Sequence, residues 1–150
     1  MIVVDANVLL YAHDTSSPRQ PAAFEWLGRT MNGTEAVGLG LVTVLAFLRI
    51  STDPRIFLRP LAAGEAIAIV EEWLERPNVT LLGPSDRHWQ SLAEQVDRGQ
   101  ARGPLLMDAH IATLVLEHGA ILATADRDFT RFAGLRTVDP TVAGNVHRRR

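Results

Sequence analysis

The chain is predicted to fold as an α/β domain with a parallel sheet and helices on both faces, on three observations. Short apolar or β-branched runs alternate with longer helical stretches from end to end, the pattern that right-handed crossover connections produce. No internal repeat, low-complexity stretch or linker interrupts the alternation, so the 150 residues read as a single domain, 1–150. Acids stand where strands end or helices begin: Asp5 follows Ile2-Val3-Val4, Asp108 follows Leu105-Leu106-Met107, and Asp126 and Asp128 follow Ile121-Leu122-Ala123-Thr124. In an open parallel sheet, the loops at the carboxyl ends of the strands meet at one crevice, so acids far apart in sequence can gather there.

The elements follow in order. Residues 2–4 read as a buried first strand, and Asn7 to His13 as a short helix. Ser17-Pro18 opens the next helix, Pro21 to Met31, which Asn32-Gly33 ends. Val37-Gly38-Leu39 is a short second strand. Val42 to Ile50 is a helix, stopped at Asp53-Pro54 because the residue before proline avoids the helical region. Residues 56–60 form a loop with apolar anchors. Ala62 to Leu74 is amphipathic, with Ala66, Ile67, Val70, Trp73 and Leu74 on its apolar stripe. Asn78 to Leu82 is the third strand, and Ser85-Asp86 caps a helix running to about Arg98 with Trp89, Leu92 and Val96. Met107 to His118 is a helix that turns Ile111, Leu114 and Val115 inward and ends at Gly119. Ala120 to Ala123 and Leu135 to Val138 are the fourth and fifth strands, and the tail from about 141 is expected to be mobile.

Composition narrows the chemistry. With no cysteine, neither a disulfide nor a thiolate metal site is available. The opening residues carry no basic leader, and no apolar run approaches the ~20 residues of a membrane span, so a cytoplasmic location is expected, with extracellular release left open. A net charge of −2 argues against a surface coated in positive charge, yet allows a local basic patch. All 15 Lys-or-Arg positions are arginine. Carboxylates clustered without thiols suit a hard cation such as Mg²⁺ or Mn²⁺, and that points to metal-assisted chemistry on a phosphate ester.

Each candidate has two readings. Asp5 is either a metal ligand, oriented by Asn7, or an Asx cap of the following helix. Asp108 can cap its helix and bind metal together. His110 reads as a structural or partly exposed histidine, because imidazole matches Mg²⁺ poorly. Thr124-Ala125-Asp126-Arg127-Asp128 sets two acids at i and i+2 in one turn, where both can face a cation. Phe129 and Phe132 read as core anchors. Arg49, Arg55, Arg59 and Arg127 are candidate contacts for RNA or a partner, with a solvated surface as the alternative.

These motifs resemble the PIN-domain family and, within it, the VapC toxins of type II toxin–antitoxin systems. The resemblance rests on Ile2-Val3-Val4-Asp5-Ala6-Asn7-Val8-Leu9-Leu10-Tyr11-Ala12, on Phe47-Leu48-Arg49-Ile50-Ser51-Thr52-Asp53-Pro54-Arg55, on Asp108-Ala109-His110-Ile111-Ala112, and on Ala123-Thr124-Ala125-Asp126-Arg127-Asp128-Phe129, in that order. It implies a flavodoxin-like, three-layer α/β/α sandwich with a sheet of about five strands, commonly as a homodimer. It implies a Mg²⁺- or Mn²⁺-dependent endoribonuclease acting on structured tRNA or rRNA, inhibited by a VapB-type antitoxin. Carried onto this chain, Asp5, Asp108, Asp126 and Asp128 are the catalytic acids. Asp5, Asp108 and Asp126 are the metal ligands, with Asn7 and Thr124 behind them. One position departs from the pattern: Ala46 occupies the slot where PIN nucleases usually carry a glutamate. That departure supports an alternative, a catalytically weak PIN fold that binds antitoxin or RNA. Asp126-Arg127-Asp128-Phe129-Thr130 also matches a haloacid-dehalogenase phosphatase motif, but that family and the response-regulator receivers both need a lysine this chain lacks.

Overall fold

The computed structural model describes residues 1–142. Five parallel strands lie in the order β3-β2-β1-β4-β5: β1 (Ile2–Val4), β2 (Val37–Gly40), β3 (Val79–Leu82), β4 (Ile121–Ala123) and β5 (Thr137–Val138). The chain winds outward from β1 through β2 to β3, then restarts at β4 on the other side of β1. The crevice of this topology therefore opens between β1 and β4.

Alternation along the strands divides the core into two layers. Ile2 and Val4 face one side, with α1 (Ala6–His13), α2 (Gln20–Met31), α3 (Leu41–Ser51) and α4 (Ala63–Glu75). Val3 and Leu122 face the other, with α5 (His88–Arg98), α6 (Leu105–Glu117), Phe129 and Phe132. The result is the expected three-layer sandwich. Gly38 makes room for a side chain of β3: a Cβ there would come within 2.4 Å of Leu82 Cδ1, so Leu82 would have to shift.

Several local expectations are corrected. Helix α6 starts at Leu105 behind Pro104, so Asp108 is the fourth residue of the helix and not its cap. Proline sets the helical φ of −58° one residue before the helix, and Leu, Leu and Met are good helix formers, so the apolar run winds instead of extending. Ser85-Asp86 does not cap α5, which begins at His88 with no side-chain cap. Ile67 and Leu74 are exposed despite lying on the apolar stripe of α4, and Trp89 is 75% exposed. The expected mobile tail falls mostly on 143–150, outside the described residues. Thr141, at its start, is buried and bonds Asp139 through both its backbone N–H and its hydroxyl, at 2.9 and 2.6 Å.

Candidate metal centre

The register of β1 and β4 builds the site. Val4 pairs with Ala123, which sets Asp5 beside Thr124 at the carboxyl ends of the two strands flanking the crevice. The Thr124 hydroxyl donates to Asp5 Oδ2 at 2.7 Å. It accepts from Asn7 Nδ2 at 3.2 Å and from the Asp126 N–H at 3.0 Å. Its one donor and both acceptor sites are thereby used. Asn7 Oδ1 in turn accepts the Ala125 N–H at 3.2 Å. This network locks the loop after β4 to the start of α1.

Asp5 also accepts the Ala6 N–H through Oδ1 at 2.8 Å, so the cap reading of this residue holds: it caps α1 from the carboxyl end of β1. Burial raises its pKa, and the charge of Asp126 adds to that, against the bonds from Thr124 and Ala6. Asp126 caps a 3-10 helix, Arg127–Arg131, by accepting the Asp128 N–H at 2.8 Å. The turn therefore holds both acids on one side.

From across the crevice, α6 brings in Asp108. Asp108, Asp126 and Asp128 each offer a carboxylate oxygen within 4.8 Å of the other two. The expected ligand set had Asp5 where this trio has Asp128; Asp5 stands behind it, within electrostatic range of Asp108. Burial pushes the Asp108 carboxyl up to about 6; the charges of Asp126, Asp5 and Asp128 add to the rise, and Arg131 opposes it. A cation held here would offset the burial and the like charge that raise the Asp108 and Asp5 carboxyls. Two oxygens bound to one Mg²⁺ at ~2.1 Å lie at most about 4.2 Å apart, so small side-chain movements would close the trio around an ion. The donor set is all oxygen, as Mg²⁺ and Mn²⁺ prefer. The residues therefore fit the ion that the acidic pattern predicts.

The other predicted residues contribute no ligand to the trio. Arg49, Arg55, Arg59 and Arg127 are all exposed. Arg55 is engaged within its own loop, its Nε and Nη2 reaching the two Asp53 oxygens at 3.1 and 3.0 Å. Exposed Ile56 and Leu58 flank buried Phe57 in that loop. Ala46 is half-buried on α3, between exposed Leu45 and buried Phe47. Among the described residues no glutamate joins the acid trio.

Two features had no local signal. Glu117, His88 and His110 form a chain: Glu117 Oε2 lies 3.0 Å from His88 Nδ1, and His88 Nε2 lies 2.9 Å from His110 Nδ1. Ser85 donates to Glu117 Oε1 at 2.7 Å. Burial raises the Glu117 pKa, but the bonds from His88 and Ser85 outweigh it and hold the carboxyl below its usual range. The chain fastens α5 to α6, and hence to the helix that carries Asp108. Beside His110 a groove of about 470 Å³ runs past the carboxyl ends of β2 and β3, lined by Leu41, Leu45, Leu81, Pro84 and Leu114 among others.

Comparison with known proteins agrees with this architecture. The PIN domain family matches residues 2–135. Ribonuclease VapC37 of Mycobacterium tuberculosis is 40% identical over 140 residues, which cover 93% of this chain and 97% of that protein. Ribonuclease VapC33 of the same species is 39% identical, with 93% and 98% covered. Among solved structures, M. tuberculosis VapC20, a sarcin–ricin loop cleaving toxin, superposes with a TM-score of 0.65 at 16% identity, over 91% of this chain and 99% of that one. The Rickettsia felis VapBC2 complex with a promoter DNA fragment gives 0.65 at 14% identity, over 91% of this chain and 97% of that one. At these identities the structures speak for the fold, and the sequence relatives carry the assignment: the chain belongs to the PIN-domain family, in its VapC branch.

Proposed function

We propose that the protein is a Mg²⁺- or Mn²⁺-dependent endoribonuclease, the toxin of a type II toxin–antitoxin pair, acting on structured tRNA or rRNA in the cytoplasm. The observation that carries this reading is the convergence of Asp108, Asp126 and Asp128 at a crevice walled by Asp5. Asp108, Asp126 and Asp128 would hold the ion, with Asp128 in the place expected of Asp5, which stands behind them. The bound ion would polarise the scissile phosphate and make the attacking water more acidic. The second carboxylate oxygen of Asp128, the exposed member of the trio, would take the proton of that water. Thr124 and Asn7 keep the loop after β4 from drifting, so Asp126 holds its place as charge builds. The names and titles of the relatives support the substrate class and a VapB-type antitoxin as partner. That partner would cover the crevice and set a basic side chain against the acids. The homodimer belongs to the same proposal, and the apolar groove around Leu41, Leu45 and Leu81 is the face it would bury.

The missing glutamate favours a second reading, a weakly catalytic module that binds antitoxin or RNA. Incubating tRNA and rRNA with the protein in Mg²⁺, in Mn²⁺ and in EDTA separates the two. Metal-dependent cleavage that Asp126→Asn abolishes is the expected result. RNA binding without cleavage in either metal would leave only the binding module.

A further inference from the structure

We propose that Arg131, and not the Arg127 that stands between the two acids in sequence, is the residue that binds a phosphate of the RNA beside the acidic trio. This rests on the ribonuclease reading above.

Arg131 closes the 3-10 helix whose first turn carries Asp128. Its Nη1 donates to the Gly99 carbonyl at 3.0 Å, at the end of α5. The last carbonyls of a helix carry partial negative charge, so this is a favourable anchor for a cation. The neighbouring contact is equally specific: a Cβ on Gly99 would lie 2.8 Å from Phe132 Cε1, so glycine there lets the Phe132 ring seat against α5. Residues 131 and 132 are thus both fastened to the same helix end, and the guanidinium is fixed before any ligand arrives.

Anchoring uses one of the five guanidinium N–H donors. The charge is near enough to Asp108 to oppose the rise in its proton affinity. Yet among the described residues Arg131 forms no ion pair within 4.0 Å of any carboxylate. Asp108 lies within its electrostatic range but does not pair with it. Arg55, by contrast, is already held by Asp53, and Arg127 has no comparable anchor among the described residues.

An anchored, unpaired cation at the rim of a cation-binding crevice suits a ligand that must touch both. A phosphodiester does so: one non-bridging oxygen can face the ion while the other accepts from the guanidinium. The competing account is that Arg131 only ties the 3-10 helix to α5. The two accounts predict different signs for metal and RNA affinity. Loss of a cation beside carboxylates leaves divalent metal binding equal or stronger, whereas loss of a structural tie disorders Asp128 and weakens it.

The test uses the full chain with Arg131→Gln, Arg131→Lys and, for comparison, Arg127→Gln. Affinity for a labelled single-stranded oligoribonucleotide is measured against salt concentration in an Asp108→Asn background, which prevents cleavage. Mn²⁺ affinity is measured by calorimetry with Asp108 intact. Arg131→Gln is expected to weaken RNA binding about 10-fold and to reduce the log–log salt slope by ~0.7, the value for one phosphate contact on a single strand. Mn²⁺ affinity should stay equal or rise, and Arg131→Lys should restore the slope. Unchanged RNA affinity and slope in Arg131→Gln, or RNA and Mn²⁺ affinity falling together, would overturn the proposal while wild-type cleavage of tRNA or rRNA keeps the ribonuclease reading. A wild-type protein that neither binds nor cleaves RNA in Mn²⁺ would overturn both.

Discussion

Asp108→Asn should stabilise the metal-free protein at neutral pH while removing its RNA cleavage. Asp108 is pushed up to about 6, first by burial and then by Asp126, Asp5 and Asp128. Its ordinary value is 3.8, so the native state keeps the proton through a window in which the unfolded chain has already lost it. Across that window the native state binds more protons, and stability falls as pH rises. The contribution is fully present below pH 3.8 and lost by about pH 6. A shift of that size has a ceiling of about 3 kcal/mol. Asp108 is only half-buried, so solvent screening reduces this to about 1–1.5 kcal/mol. For a chain of 150 residues that is a Tm difference of about 3–5 °C. Asparagine has no proton to lose, so melts in EDTA from pH 4 to 8 should show the variant matching wild type at the acid end and above it at pH 7.5. His13 imposes a slope of opposite sign on both proteins. Burial among Phe47 and Trp73 lowers its pKa, so its contribution is full above 6.5 and lost as pH falls. Comparing the two proteins cancels that slope. Mn²⁺ should raise the wild-type Tm more than that of the variant, because it offsets the same repulsion. Equal slopes in EDTA, or a variant less stable than wild type at pH 7.5, would show that Asp108 does not bear the clustered charge.

Three other substitutions probe the surroundings. Thr124→Val keeps the shape but removes the hydroxyl shared by Asp5, Asn7 and the Asp126 N–H, so thermal melts should register a loss of about 1–3 kcal/mol and cleavage should fall at least 10-fold. Glu117→Gln removes the carboxylate that holds His88. Stability present above pH 4.5 in wild type should then be missing, which shortens the plateau in a pH–Tm profile, while Mn²⁺ affinity stays within a few-fold. Ala46→Glu should lower stability in EDTA and enlarge the Tm gain on adding Mn²⁺; an identical gain in both proteins would place residue 46 away from the ion.

What the sequence revealed about this site follows from how local each feature is. Asp5, Asn7, Thr124, Asp126 and Asp128 were legible because each sits within a few residues of a strand end, and a parallel sheet delivers strand ends to one edge. Five strands and six helices were placed within a few residues because buried runs and helical spacing are also local patterns. Periodicity identifies an apolar face without saying what covers it. That is why Trp89, Ile67 and Leu74 could be assigned to apolar helix positions and still be exposed. At α6 two short-range signals competed. The run Leu105-Leu106-Met107 suits a strand by hydropathy and a helix by propensity, and Pro104 decided for the helix, moving Asp108 from its mouth to its first turn.

The features that escaped are those made by tertiary contact alone. Glu117 meets His88 across 29 residues, and His88 meets His110 across 22. No spacing rule joins positions on different helices. Arg131 shows the same limit on a smaller scale. Arg127, named from sequence alongside Arg49, Arg55 and Arg59, lies between two acids, but a turn of 3-10 helix points successive residues apart. What distinguishes Arg131 is a carbonyl at the end of α5, which is 32 residues away. Of the acids proposed to hold an ion, Asp126 and Asp128 could thus be read from the end of β4, whereas Asp108 reaches them from α6. The groups that would orient a substrate against that ion depend on how α5 and α6 pack, and they became visible only once those helices were in place.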